Sequence, residues 1–454
     1  MQKKSIINDL TEGNVSKTLI TFSIPFMLSN LLQITYNITD MIIVGQYVGS
    51  GGLAAVSVGG DIMNLFMLVG MGFTTAGQIL ISQSVGQHKH EYVKKIIGVM
   101  FTFISMMAIT STILGFFLND WLLSVMNVPE EAYVQAKEYS TVCYMGMIFI
   151  FGYNIVSAIL RGMGDSKRPF IIIATATTLN LIFDLILVAG FGMGPKGAAI
   201  ATVSGQGISF IGSIVYLYIK KDQFGFDFKL SSFKMDFKVL KALVRLGVPL
   251  ALQHSAIVLS KLFVNSSINF YGVTAAAVNG VGARIRQISF VVCNALGMAS
   301  TSMIGQNFGA GKRHRIVKII YVSMGIGLIF AAVLSVAILM FPEQIFSVFN
   351  NDPEVLEMSH IYSIIAMLGF VASALRSPMM GLINGLGNTK LSMLLGLLDG
   401  VIARVGLAVL FGTTLGMGIK GYWYGDAFAG FIPFVIGGVY FWSGMWKRRR
   451  LAMA

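Results

Sequence analysis

The stretch from residue 18 to residue 47 is almost wholly apolar. It is well beyond the roughly 20 residues that a helix needs to cross a bilayer. Eleven more runs follow, at 52–82, 93–118, 131–160, 169–190, 197–219, 239–270, 273–304, 316–340, 354–384, 390–411 and 419–446. A chain built this way has little water-facing surface. Only 12% of its 454 residues are charged, against about 25% in a soluble domain. The fold class is therefore an all-α polytopic membrane protein with twelve transmembrane helices. A transmembrane β-barrel is excluded, because its strands are short and alternate. Several runs exceed the span, so tilt or extension past the hydrocarbon is expected. The polar start, MQKKSIINDLTEG, and the long first run read as lacking a cleavable signal.

The basic residues set the orientation. Lys3, Lys4 and Lys17 precede the first helix. Lys89, Lys94 and Lys95 follow the second, and Arg161, Lys167 and Arg168 follow the fourth. The segment 220–238 and its flanks carry seven more, 312–318 carries four, and the chain ends in Lys447, Arg448, Arg449 and Arg450. The alternate loops hold mainly acids, among them Asp120, Glu130, Glu131, Glu343, Asp352 and Glu354. The positive-inside rule places both termini in the cytoplasm of a multi-pass protein of the cytoplasmic membrane. The net charge of +13 is then topology plus attraction to anionic lipid, and no nucleic-acid partner is implied. The chain is expected to act as a monomer within the lipid bilayer.

An internal repeat runs at an offset of about 223 residues. Pro25 in SIPFMLSNL matches Pro249 in GVPLALQHS, ISQSVGQHKH matches IGQNFGAGKR, and RGMGDSKRP matches NGLGNTKLS. Each half holds six helices, and an even number of helices per half gives both the same orientation. The expected organisation is a six-helix lobe over 1–219, a cytoplasmic linker over 220–238 and a second, pseudo-symmetric six-helix lobe over 239–454. Two such lobes around a central cavity are a common transporter architecture, worked by alternating access.

Ionisable residues inside the helices are the candidates for chemistry, because a charge near the bilayer centre costs at least about 2.5–3.5 kcal/mol. The acids are Asp40, Asp61, Asp184, Asp399 and Asp426, and the bases Lys261, Arg284, Arg286, Arg376 and Arg404. Gln33, Tyr36, Asn37 and Asp40 fall at i, i+3, i+4, i+7 and make one polar stripe. Asn180 and Asp184 share a face, as do Thr202 and Gln206, and Asn154 and Ser157. These stripes belong to the first half and can converge within one lobe, with Gln33, Tyr36, Asn37, Asn154, Ser157 and Gln206 as candidate substrate-pocket residues. Interhelical hydrogen bonding is the plainer role for polar residues there. Two carboxylates in one cavity do not readily both ionise and behave as a unit. They form a reversible proton site, or, with Asn180 and Thr202, an Na⁺ site.

The second half lacks a matching acid pair. Asp399 and Arg404 are five residues apart, roughly 140° around an α-helix, and so need not pair with each other. Asp399 is expected to neutralise Arg284, Arg286 or Arg376, so that Arg284, Arg376, Asp399 and Arg404 form a structural charge network. Arg284 and Arg286 flank Ile285 and point different ways. Asp61 and Asp426 can sit near the outer interface and are left unassigned. Pro25 and Pro249 permit kinks. Cys143 and Cys293 read as inert core residues, no His shows metal-ligand spacing, and no G-x-x-x-x-G-K-[ST] loop is present. No enzyme chemistry and no cofactor follow from the sequence.

The order of LTEGNVSKTLITFSIPFMLSNLLQ, the paired Gln-x-x-Gly segments with their basic loops, ILRGMGDSKRP, LNLIFD and KGAAIATVSGQ resembles the multidrug and toxic compound extrusion family, MATE, over nearly the whole chain. The first-half acids look like its DinF-type branch. The resemblance implies two six-helix bundles around a V-shaped cavity, and export of organic cations and other amphipathic compounds in exchange for H⁺ or Na⁺. It further implies a cation site at Asp40, Asn180, Asp184 and Thr202, with Pro25 as a hinge. The helix-seven and helix-ten acids of the NorM-type branch are absent here, where Lys261 and Arg376 stand. Two other functions compete. A lipid-linked saccharide flippase would use Arg284, Arg286, Arg376 and Arg404 for a pyrophosphate. A non-transporting scaffold or receptor would leave the buried acids without a purpose.

Overall fold

The computed structural model describes residues 7–224 and 226–453, apart from the side chain of Phe224. Lys3 and Lys4, used in reading the orientation, lie outside the described residues. Twelve helices are long and apolar enough to cross a membrane: α1 Val15–Tyr47, α2 Ser50–Gly86, α3 His90–Val125, α4 Glu130–Gly162, α5 Lys167–Gly190, α6 Gly194–Ile219, α7 Phe237–Asn269, α8 Val273–Gly309, α9 Arg313–Met340, α10 Pro353–Gly385, α11 Thr389–Thr414 and α12 Ile419–Trp442. No strand occurs among the described residues. The twelve expected helices are all present, and most extend past their apolar runs by a few residues at one end or both. α2 and α8, at 37 residues each, reach about 55 Å at 1.5 Å per residue. They therefore run past a hydrocarbon core of about 30 Å.

The repeat is visible in the backbone. Left-handed φ angles recur at an offset of 223 or 224 residues: Gly49 with Gly272, Gly164 with Gly387, Gly192 with Gly416, and Gly194 with Gly418. His88 holds φ 57° where its counterpart is Gly311 at φ 71°. Packing repeats too. A Cβ on Gly59 would lie 2.3 Å from the Tyr139 ring, and a Cβ on Gly282, 223 residues on, would lie 2.0 Å from the ring of Tyr362, the counterpart of Tyr139. Gly162 against Ile81 and Gly385 against Ile304 form a second such pair. Close approach through small residues is how helices associate in lipid, where no hydrophobic force drives them together.

The described chain forms two compact units. One comprises Pro25–Val248 and a short N-terminal piece ending at Asp9; the other comprises Leu10–Ile24 and Pro249–Ala452. The division falls at the repeat-related prolines inside α1 and α7. In the first unit the linker folds back on α3. Phe226 is buried among Phe228 and Phe233, and Thr102 Oγ1 donates to the Phe233 carbonyl at 2.7 Å. Asp236 ends the linker as the N-cap of α7, accepting from the backbone N–H of Lys238 and Val239 at 2.9 and 3.2 Å. Those bonds, the Val239 one foremost, hold its carboxyl below the usual carboxylate range.

In the second unit the residues before α1 are clamped by the end of α8. Gln306 Oε1 accepts from Leu10 N at 2.9 Å, Asn307 donates to the Leu10 carbonyl at 3.0 Å, and Arg315 donates to the carbonyls of Glu12 and Gly13 at 2.9 Å. The Gln-x-x-Gly segment and its basic loop thus have a structural task here beyond orientation.

The tyrosine–glycine contacts give a direct test. Gly59→Ala and Gly282→Ala should each lower stability by about 1–3 kcal/mol through overpacking. Gly280→Ala, where a new Cβ meets nothing within 4 Å, should be neutral. Thermal unfolding of the three variants in detergent reads the difference.

Candidate functional site

Three helices of the first unit bring the sequence-predicted acids together. Asp40 lies on α1, Asn180 and Asp184 on α5, and Thr202 on α6. Gly205 allows the last contact: a Cβ there would sit 2.8 Å from the Ala176 carbonyl and 3.2 Å from the Asn180 Cβ, so α6 can lie close to α5. Asp40, Asn180 and Asp184 are 6%, 4% and 1% exposed. The two carboxyls are within hydrogen-bonding range of each other. No neighbour donates to Asp40 Oδ1 or Asp184 Oδ1.

The surrounding hydrogen bonds run in one direction. The orientation that satisfies both ends of the Asn180 amide has its nitrogen donating to Asp184 Oδ2 at 3.0 Å. Its oxygen then accepts from Thr202 N at 3.0 Å and from Thr202 Oγ1 at 3.3 Å. Thr202 Oγ1 is then free to accept from the Tyr36 hydroxyl, 2.9 Å away. The relay Tyr36 to Thr202 to Asn180 to Asp184 delivers its last donor to a carboxylate. It opens on a cavity of about 50 Å³ lined by Thr35, Tyr36, Thr39, Asp40, Thr177, Asn180, Leu181 and Asp184. Drug-sized ligands need roughly 300–1,000 Å³, whereas a water needs only about 10–15 Å³. The cavity therefore suits a proton, a small cation or a few waters. Its carboxylate, hydroxyl and amide oxygens are a hard-donor set of the kind that suits hard cations.

The other pocket candidates are scattered. Gln33 and Asn37 are exposed on α1. Asn154 turns its amide to the Ile150 carbonyl of its own helix, at 2.8 Å, and Ser157 is fully buried. Gln206 lies one turn beyond Thr202 and has a buried, unpartnered amide oxygen. Thr35, Thr39 and Thr177 line the cavity but escaped the sequence reading. Thr177 was legible, since it falls three residues before Asn180 and seven before Asp184.

The second unit holds a different cluster. Arg404 donates to Asp399 Oδ1 at 2.9 Å and is also paired with the Asp426 carboxylate. Arg376 lies 2.9 Å from Asp399 Oδ2, and Arg286 lies 3.0 Å from Asp426 Oδ2. Two open points are resolved and one expectation is corrected here. Asp399 and Arg404 do pair, because Leu398–Val405 is wound as a π-helix. Its i→i+5 bonding brings residues five apart onto one face. Asp426 belongs to this cluster rather than to an interface, because Gly421 and Gly425 let α12 lie against the α11 backbone. Arg284, placed in the network from sequence, is exposed and has no ion pair among the described residues; Arg286 takes its place. Asp61 is exposed on α2.

The repeat links the two sites. At an offset of 224 residues, Asn180 corresponds to Arg404 and Thr202 to Asp426, while Asp40 and Asp184 correspond to Val264 and Ala408. The amide–hydroxyl contact of the first half becomes a guanidinium–carboxylate pair in the second.

The MatE family model matches residues 25–186 and 249–419, once in each half. The chain belongs to the MatE family. It is 28% identical over 444 residues to a probable multidrug resistance protein, YpnP, of Bacillus subtilis strain 168, covering 98% of each chain. It is 25% identical over 446 residues to a probable multidrug resistance protein, NorM, of Thermotoga maritima, covering 96% of this chain and 94% of that one. Its fold matches that of an outward-facing multidrug resistance MATE family transporter of the MOP superfamily with a TM-score of 0.89 at 23% identity, over 98% of both chains. The chain is thus a multi-pass membrane protein of a multidrug efflux transporter family.

The two clusters should respond oppositely to neutralisation. Asp184 has no cationic partner among the described residues, so Asp184→Asn should leave stability unchanged or slightly raised. Asp399→Ala takes the only paired carboxylate among the described residues from Arg376 and leaves Arg404 with Asp426 alone, and should cost up to about 3–5 kcal/mol. Thermal unfolding of both purified variants distinguishes the cases.

Proposed function

We propose that this chain is a secondary antiporter of the DinF-type branch. It exports organic cations or amphipathic compounds in exchange for H⁺ or Na⁺ bound at Asp40, Asn180, Asp184 and Thr202. The observation that carries this reading is the buried carboxyl pair, which has oxygens without donors and a cavity sized for an ion. A charge pair so placed needs an exchangeable cation to offset its desolvation. The cation enters from outside, neutralises the pair and weakens the first lobe's hold on a cationic substrate. Its discharge inside resets the site. One charge crossing about 100 mV supplies ~2.3 kcal/mol, enough for a roughly 50-fold gradient at ~1.4 kcal/mol per decade. Pro25, interior to α1 and at a unit boundary, is the proposed hinge of the cycle. The chain works as a monomer in the cytoplasmic membrane, with both termini inside.

A flippase for lipid-linked saccharides is the second reading, favoured by the three arginines of the second-unit cluster, Arg286, Arg376 and Arg404. Proteoliposomes decide between them. A fluorescent lipophilic cation should be transported under an imposed pH or Na⁺ gradient, and the gradient that works names the ion. Asp40→Asn should reduce this transport at least about 10-fold, or ~1.4 kcal/mol. Full activity in Asp40→Asn would refute the mechanism. Activity lost only on removing Arg286, Arg376 or Arg404 would transfer the assignment to the flippase.

A further inference from the structure

The second-unit cluster holds more positive charge than its carboxylates balance. Asp399 is shared by Arg376 and Arg404, and Asp426 by Arg286 and Arg404. Lys261 on α7 has no ion pair among the described residues. Its ammonium is 5.8 Å from the Phe290 ring and within electrostatic range of Arg404, Asp426, Arg376 and Arg286. Four cations thus stand around two anions, deep in helices that cross the membrane. The surplus is on the accessible side. The Arg286 and Arg376 side chains are 22% and 25% exposed and Lys261 is exposed, whereas Asp399 is fully buried. Two buried donors remain unpartnered as well: Arg404 Nε, in a residue 4% exposed, and the hydroxyl of fully buried Tyr362. The Tyr362 ring lies 5.5 Å from the Arg286 guanidinium.

A purely structural network would match charge with charge, since unmatched charge in hydrocarbon is expensive. We infer that Lys261, Arg286 and Arg376 form an anion-binding subsite of the second unit, which takes a carboxylate, sulfonate or phosphate group. This rests on the exporter reading and deepens it: the second unit recognises an anionic group carried by the transported compound. The repeat supports the division of labour. Arg404 occupies the position equivalent to Asn180, so the second half presents a charged guanidinium where the first presents a neutral amide.

The test uses rhodamine B, which carries a free carboxylate, and its ethyl ester, which does not. Fluorescence polarisation measures binding of each to the full-length protein in phosphatidylcholine nanodiscs. Rhodamine B should bind at least about 10-fold tighter than the ester, the scale of a close charge pair. Lys261→Met, which breaks no ion pair, and Arg376→Gln, which leaves Asp399 paired with Arg404, should each erase that preference while the ester binds as before. Equal binding of the two dyes, no binding of either, or a preference that survives both substitutions overturns the subsite. Displacement by phosphatidylglycerol would assign the site to a lipid headgroup, and displacement by inorganic phosphate to a soluble anion; either keeps the anion site. Equilibrium binding needs no gradient, so this result is read separately from transport by Asp40→Asn.

Discussion

Inside hydrocarbon a charged or polar group has no water to fall back on, and this chain meets that constraint in two ways. In the first unit two carboxyls face each other without a cationic side chain, and the Tyr36–Thr202–Asn180 relay supplies one donor. The remaining demand can be met only by something that arrives. In the second unit the carboxylates are met by guanidinium groups carried on neighbouring helices. The first arrangement is suited to exchange and the second to permanence.

Both arrangements depend on how closely the helices approach. Gly205 sets α6 against α5 so that Thr202 reaches Asn180, and Gly425 sets α12 against α11 so that the short Asp426 side chain reaches Arg404. The glycine–tyrosine contacts at Gly59 and Gly282 hold each half together in the same manner. Small residues in this molecule therefore act on function at one remove, by fixing how far a polar side chain must reach.

Much of this was legible in the sequence. Apolar run length located all twelve helices, and the residue matches between halves anticipated the recurrence of left-handed glycines. The acids of α1 and α5 stood out because charge is so rare in those runs. The misses have physical causes. The Asp399–Arg404 pair was left open on α-helical geometry, which a π-helical stretch does not obey, and nothing in LLDGVIARVG announces the wider turn. Asp426 was left unassigned, because nothing near it in the sequence names its partners on other helices. The Gln306–Asn307–Arg315 clamp on residues 10–13 joins segments nearly three hundred residues apart, a distance over which no local pattern carries information. Gln33 and Asn37 were grouped with Asp40 by periodicity, but a stripe on one helix does not say how wide a face its neighbours cover.

The equivalence of Asn180 with Arg404 and of Thr202 with Asp426 has a further consequence. A guanidinium keeps its proton throughout the cellular pH range, so the second half carries its positive charge as a covalent fixture. In the first half the equivalent position carries the uncharged amide of Asn180. Equivalent positions of the two halves therefore hold a permanent cation in one and a neutral amide in the other, and the second half balances its carboxylates with side chains of its own.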